Sequence, residues 1–506
     1  MDRRGRQGVS APGAPGPSGA NQLELKTPLH TMAAFGVGNI PDSIKNWSWN
    51  AFVLFLYAQV HGLSGTLTGI AILIALIVDA VSDPYVGFLS DRAQGWKYGR
   101  RHTLMMFAVV PFGFCFYALF VPPQGLGQLG LFAWLLLFAV LNRLFITLFH
   151  VPYKAVGAEL SRDIAMRPRI KAFGTVGMQG ARIGLPLLAF GHFFLESASY
   201  SRGQLDPANY PPFAAAFATV AVIAMVINIA GTLKPVVGIE RLEPPRPKPR
   251  IGPVAALKAV ISAMTVTPNV RRSIFLAIVV FFAISSISVL RVHLITYLWQ
   301  TPPDLTGWLA SAQAIGAVIG AIVLPFTVRA LDRKRCIAVG MCGYTGLTAL
   351  AVLLPVFGLL PPPASRELAF ALIGMFMAAG FLLGIYLVAI ASLASDVADE
   401  HEVNTGKRQQ ALISGFGSFA IKTAGAFMVL LTGIYLDIIS FPAGAPVGSV
   451  PWEKVEALAY FSAGFCVLGC FLVLWVASKF DVSLDKQREI NRRLQAMLKA
   501  EGTSTA

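Results

Sequence analysis

The sequence predicts an all-α membrane protein: twelve transmembrane helices in two pseudo-symmetric six-helix halves. Three observations carry this expectation. Of 506 residues, 55% are hydrophobic and only 13% are charged, about half the charged share of a soluble protein, and the mean hydropathy is +0.64. Apolar runs recur at 33–60, 66–91, 103–122, 129–153, 171–196 and 212–235, and again at 273–299, 305–331, 336–361, 367–396, 408–440 and 455–479. Each is near the ~20 residues a helix needs to cross a bilayer. Finally, the charged loops of the first six spans are echoed after the second six, the two sets being divided by the basic, Pro-rich stretch Glu243-Pro-Pro-Arg-Pro-Lys-Pro-Arg250.

The expected organisation is a disordered tail over 1–32, a first half over 33–235, a linker over 236–272, a second half over 273–480 and a tail helix over 481–506. The first 30 residues are rich in Gly, Pro, Ser and Arg with no apolar core, so they do not read as a signal peptide. A net charge of +15 does not point to nucleic acid, because the basic residues stand in loops between apolar runs. Arg92, Lys97, Arg100 and Arg101 follow span two, while Lys154, Arg162, Arg167, Arg169 and Lys171 follow span four. Arg329, Arg333, Lys334 and Arg335 follow span eight, and the alternate loops 61–66, 121–130 and 300–304 are almost uncharged. The positive-inside rule then places both termini and the linker in the cytoplasm of a protein of the cell's inner (plasma) membrane. The five cysteines have no metal-ligand spacing, and Cys466 and Cys470, four residues apart in one apolar run, read as core thiols.

Charges at membrane depth point to function. Asp79 and Asp83 lie within span two, share a helix face, and must look into a wet, protein-lined cavity, since a carboxylate in lipid costs several kcal/mol. Two acids on one face favour cation binding over a structural ion pair. Against them stand Arg143 in span four, Arg182 in span five and Lys422 in span eleven. If Arg143 neutralises one acid, a base is left over, and surplus positive charge suits an anionic group. Lys422, flanked by Gly417, Thr423 and Gly425, reads as functional. Arg291, nearer the outer face, reads as satisfied by carbonyls or snorkelling to the interface. His150 is either a proton carrier or a neutral hydrogen-bonding group. Trp47 and Trp49 with Asn46 and Asn50 build either a sugar platform or an interface anchor. Gly316 and Gly320 form a GxxxG pair for close helix packing. The echoed loop charges, Asp91, Arg92, Arg100, Glu159 and Asp163 in one half and Asp396, Asp399 and Arg408 in the other, read as a cytoplasmic gate. No metal triad, nucleophile elbow or P-loop is present to support an enzyme.

Asp79-Ala-Val-Ser-Asp83-Pro84…Gly87…Asp91-Arg92…Gly99-Arg100 resembles the helix-two signature of the glycoside–pentoside–hexuronide:cation symporters, the melibiose-permease branch of the major facilitator superfamily. Val151-Pro152-Tyr153-Lys154-Ala155…Glu159-Leu160-Ser161-Arg162-Asp163 is similar to its span-four motif, and Asp396…Asp399-Glu400…Glu402…Thr405-Gly406-Lys407-Arg408 to its span-ten motif. The resemblance implies the major facilitator fold and a monomer that couples Na⁺ or H⁺ to uptake of a small sugar-type solute, without further cofactor. It implies cation-site carboxylates at Asp79 and Asp83 and a coupling lysine at Lys422. The chain departs from melibiose permeases at His150, where they carry an acid, at Lys154, where they carry a tryptophan, and at Ser43, where they carry an aspartate that Asp42 here adjoins. Phe149-His150-Val151-Pro152-Tyr153 is also similar to sodium-dependent lysophosphatidylcholine symporters, which makes a lysolipid the alternative solute.

Overall fold

The computed structural model describes residues 27–92, 97–161, 163, 166–242, 262, 265, 267–327, 333–406, 410–479, 489–490 and 492–493. The first span is broken. Helix α1 (Leu29–Val37) turns at Gly38 and Asn39 into α2 (Ile40–Ser48), which runs on through π-turns at Trp49–Val53 and Leu56–Val60. Then come α3 (Gly65–Arg92), α4 (Arg100–Phe120), α5 (Gln128–Glu159), α6 (Met166–Leu188, ending in the π-turn Ala189–Phe193) and α7 (Tyr210–Leu242). The second half holds α8 (Pro268–His293, ending in the π-turn Leu294–Leu298), α9 (Pro303–Thr327), α10 (Arg333–Val356), α11 (Arg366–Thr405), α12 (Gln410–Ile438) and α13 (Trp452–Lys479).

Among the described residues, ten helices are long and apolar enough to cross a membrane. The first span, broken at Gly38, and the fifth, which carries Arg167, Arg169, Lys171 and Arg182, bring the number to twelve. The expected N-terminal tail lies outside the described residues up to 26, as do most of the linker and the expected tail helix. Helix α1 starts at Leu29, ahead of the apolar run predicted from 33. The halves repeat each other in detail. Leu63 N–H reaches the Tyr57 carbonyl just as Thr301 N–H reaches that of Ile295, and Gly62 and Gln300 both take positive φ there.

Small residues set the closest approaches. A Cβ on Gly316 would lie 1.9 Å from the Met377 carbonyl oxygen and one on Gly320 2.1 Å from that of Phe381, while Gly380 and Gly384 face Gln313 and Ala317 in return. The expected GxxxG contact is therefore the α9–α11 seam, where bare backbones touch. Between the halves the same device joins α3 to α12, with a Cβ on Gly433 falling 2.1 Å from the Gly65 carbonyl.

That junction carries a clasp. Asp437, at the end of α12, accepts from Gly65 N–H (2.8 Å), Thr66 N–H (2.8 Å) and Ser64 Oγ (2.6 Å). A carboxylate from one half thus caps the first turn of α3 in the other, meeting orphan amide donors and the positive end of the helix dipole together. Other bonds across the halves cluster at this same end: Gly444 N–H to the Gln59 carbonyl (2.7 Å), Arg202 to the Gln300 carbonyl (2.6 Å), Gln204 to Thr296 (2.9 Å) and Ser311 Oγ to the Ile183 carbonyl (2.8 Å). The end away from the basic loops is shut. Nearer the basic end, Lys422 reaches across from the second half to Asp79 and Asp83.

Two outcomes follow from this packing. Gly316→Val should lower stability by roughly 1–3 kcal/mol, as overpacking does, whereas Gly374→Ala, which meets nothing within 4 Å, should leave the thermal midpoint in detergent unchanged. Asp437→Ala should speed hydrogen–deuterium exchange at the Gly65 and Thr66 amides by about tenfold, since charged hydrogen bonds contribute on the order of 1.5–3 kcal/mol; unaltered exchange would show that the cap does not hold the junction.

Candidate functional site

Four charges meet midway along the bundle. Arg143 Nη1 donates to Asp79 Oδ2 at 3.0 Å, and Lys422 Nζ lies 2.9 Å from the same oxygen and 2.5 Å from Asp83 Oδ2. Thr147 Oγ1 sits 2.9 Å from Asp79 Oδ1 and 3.2 Å from Asp83 Oδ1. Its single proton cannot serve both carboxylates at once. The geometry follows from helix periodicity. Asp79 and Asp83 are one turn apart on α3, and Arg143 and Thr147 are one turn apart on the α5 face packed against it. Lys422 reaches across from α12. The two acids differ in setting: the Asp79 side chain is 2% exposed, whereas those of Asp83 and Lys422 are 36% and 30% exposed. At this depth a carboxylate cannot face lipid, so the exposed parts of Asp83 and Lys422 look into a wet space between the helices. Pro84, next in the helix, has no N–H to give the Ala80 carbonyl.

The guanidinium of Arg143 also lies over the ring of Trp49, 4.1 Å from its centroid, a cation–π contact that helps hold a desolvated charge. Trp47 points elsewhere, packing edge-on against Phe52 at 5.4 Å and stacking on Phe217 at 6.1 Å. Of the two tryptophans, it is Trp49 that supports the charge cluster. Thr147 was not singled out from sequence; its only signal is that it lies one turn from Arg143.

A second polar group flanks the first. Asp42 pairs with Lys45 at 3.1 Å and accepts from Asn46 Nδ2 at 2.9 Å. His150 Nδ1 stands 3.7 Å from Asp42 and its ring stacks on Tyr153. Asn46 and Asn50 are exposed one turn apart, and past Ala51 everything from Phe52 to Gln59 is buried. Arg182 is exposed on α6, 3.5 Å from Gln179, within electrostatic reach of Asp42 but outside the four-charge cluster. Arg291 differs from its expectation. It neither snorkels nor uses carbonyls; it donates to Gln313 Oε1 and lies 4.8 Å from the centroid of the Phe376 ring.

The described loop charges tie helices together within each half. Arg100 and Arg101 share Glu159 at 2.6 Å and 3.0 Å, and Arg101 also reaches Ser90 at 3.0 Å. In the other half Asn269 donates to Glu400 at 2.8 Å and Thr267 meets His401 at 2.9 Å. Asp163 is exposed, its N–H on Ser161 Oγ at 3.1 Å, and Asp396 and Asp399 are half-buried on α11. The side chains of Asp91 and Arg92, and all of Arg408, lie outside the described residues.

With this geometry in hand, comparison with known proteins is informative. The chain is 22% identical over 419 residues to an isoprimeverose transporter of Lactiplantibacillus pentosus, covering 80% of each chain. It is 29% identical over 176 residues to a sodium-dependent lysophosphatidylcholine symporter of Danio rerio, an alignment spanning 32% of this chain and only 33% of that relative. Its fold matches the inward-open xylose transporter XylE from E. coli with a TM-score of 0.59 at 15% identity, covering 93% of this chain and 98% of the other. Residues 34–483 match the family described as MFS/sugar transport protein, and this chain, a multi-pass membrane protein by its helices, belongs to that family.

Proposed function

We propose that this protein is a symporter that couples entry of a cation, Na⁺ or H⁺, to uptake of a small glycoside- or hexuronide-type solute by rocking its two halves about a central cavity. The observation that supports it most directly is the Lys422 ammonium seated between Asp79 and Asp83. That position is built to hold one positive charge between two carboxylates, and in this conformation a tethered charge holds it. Arg143 and Lys422 balance Asp79 and Asp83, so the cluster is neutral as it stands. An arriving cation takes over the carboxylates and releases Lys422 into the cavity toward the solute. Thr147, with one proton for two acids, is the further oxygen such an ion uses. Asn46, Asn50, His150 and Arg182 supply polar groups for the solute, and the basic-end charges Asp91, Arg92, Arg100, Glu159, Asp163, Asp396, Asp399 and Arg408 form the gate that closes when the far end opens.

With the basic end taken as cytoplasmic, the bonds that close the far end support an inward-facing state. A second reading, a sodium-coupled lysophospholipid symporter, is favoured by the identity to the Danio rerio protein in the aligned third. Symport activity, and not catalysis, accounts for charges held at this depth.

The reading is tested on the cation site. At 100 times its Kd, Na⁺ should stabilise the detergent-purified protein by about 2.7 kcal/mol. Asp79→Asn and Asp83→Asn should each remove that stabilisation, together with Na⁺-driven accumulation of methyl glycosides or lysophosphatidylcholine in proteoliposomes. Retention of gradient-driven accumulation by both variants would refute the assignment.

A further inference from the structure

Five cations and three carboxylates stand at membrane depth around the cavity. Arg143 and Lys422 pair with Asp79 and Asp83, and Lys45 pairs with Asp42. Among the described residues, Arg182 and Arg291 have no carboxylate within ion-pair distance. Arg291 is the more demanding case. Its Nε is buried without a hydrogen-bond partner, its side chain reaches only the neutral Gln313, which is itself 3.4 Å from the Tyr344 hydroxyl, and the Phe376 ring closes one side. A guanidinium so placed keeps its charge but lacks the counter-charge that would offset its desolvation.

Its place on α8 shows what it faces. Half-buried residues Phe281, Ser285, Ser288 and Arg291 recur at helical spacing along one face, and then every residue from Val292 to Trp299 is buried. Phe282 and Ile284 beside them are half-buried as well. Arg291 is the last half-buried position before the buried far end, seven residues below the end of the span at Leu298, about 10 Å at 1.5 Å per residue, and its Cα–Cβ bond tilts toward the helix N-terminus, the basic end. Arg182 approaches the same stretch of α9 from the other half: its neighbour Ile183 accepts from Ser311, two residues before Gln313.

We propose that Arg291, held by Gln313 and backed by Phe376, is an anion-recognising site at the roof of the cavity, and that the carried solute presents a carboxylate or a phosphate to it. This rests on the symport reading and narrows its solute. A planar guanidinium binds either oxyanion through paired N–H donors, so the shared chemistry is an oxyanion. Its source is a uronate sugar or a lysolipid headgroup.

The experiment measures thermal midpoints of the full-length protein in detergent, with and without Na⁺, against methyl β-D-glucuronide, methyl β-D-glucoside and lysophosphatidylcholine. The glucuronide or the lysolipid should raise the midpoint where the glucoside does not, and which of them does so identifies the source. Arg291→Gln should raise the apparent Kd of that probe by about tenfold or more. Gln313→Glu is near-isosteric and gives Arg291 a resident carboxylate, so it should block the anionic probe while leaving the Na⁺-induced shift intact. That variant decides the matter if Arg291→Gln does not fold. Wild-type affinity in Gln313→Glu, stabilisation by the glucoside alone, or no stabilisation by any probe overturns the proposal. Absence of the Na⁺ shift alone would count against Na⁺ as the coupling ion and not against the roof site.

Discussion

Withdrawing an ion from water costs several kcal/mol even after relaxation, and the middle of this bundle holds four within hydrogen-bonding distance of one another. They are tolerable only together. Asp79 is closed off on all sides and keeps its charge because Arg143, Lys422 and Thr147 meet its two oxygens. Arg143 keeps its own because Asp79 and the face of Trp49 flank it. Remove one member and the others are left uncompensated in a low-dielectric setting. The cluster therefore fixes the register of α3 against α5, and through Lys422 it ties α12 of the opposite half to α3. The halves are joined at mid-depth by ion pairs to Lys422.

The far end is joined differently. There the halves meet through bare glycine backbones and the Asp437 cap, contacts that are short-range and all-or-none. Yet this closure is not fully satisfied. His293, completely buried between Phe55 and Phe441, has no hydrogen-bond partner on either ring nitrogen, and the Thr301 hydroxyl and Gln59 Oε1 are likewise buried without one. Each such group costs about 1–3 kcal/mol, and opening the far end would hydrate them. The Asp437 cap and these orphaned groups act in opposite directions on the closure of this end.

Much of this was legible in the sequence for one physical reason: hydrocarbon is an unforgiving solvent. It forces long apolar helices, so the spans could be read, and it makes every charge at depth informative, so Asp79, Asp83, Arg143 and Lys422 could be picked out before their distances were known. What could not be read depends on which neighbour a side chain turns toward. Trp47 and Trp49 differ by two residues, and only the packing of α5 shows that Trp49 covers Arg143. Asp437 looks like any acid at the end of a span, and the Ser64-Gly65-Thr66 start of α3 looks like an ordinary helix entry, because the partner lies nearly the whole chain away. The break at Gly38 and the π-turns were hidden because an apolar run does not record how its backbone hydrogen bonds are paired.

The uneven distribution of charge along the cavity gives a reason for coupling. With Lys422 on the carboxylates, Arg143 and Lys422 together balance Asp79 and Asp83, and Arg182 and Arg291 are the cations left without a carboxylate among the described residues. On the proposed reading, a cation that replaced Lys422 on the carboxylates would displace the ammonium into the cavity, making it more positive by one charge and a stronger site for an oxyanion. Linkage makes the effect mutual: an oxyanion that draws Lys422 toward itself clears the carboxylates and tightens cation binding by the same factor. A neutral solute would gain far less from that displacement. On this reading the positive excess at the roof and the lysine between the two acids are parts of one device, in which the charge of the solute sets how strongly the two binding events depend on each other.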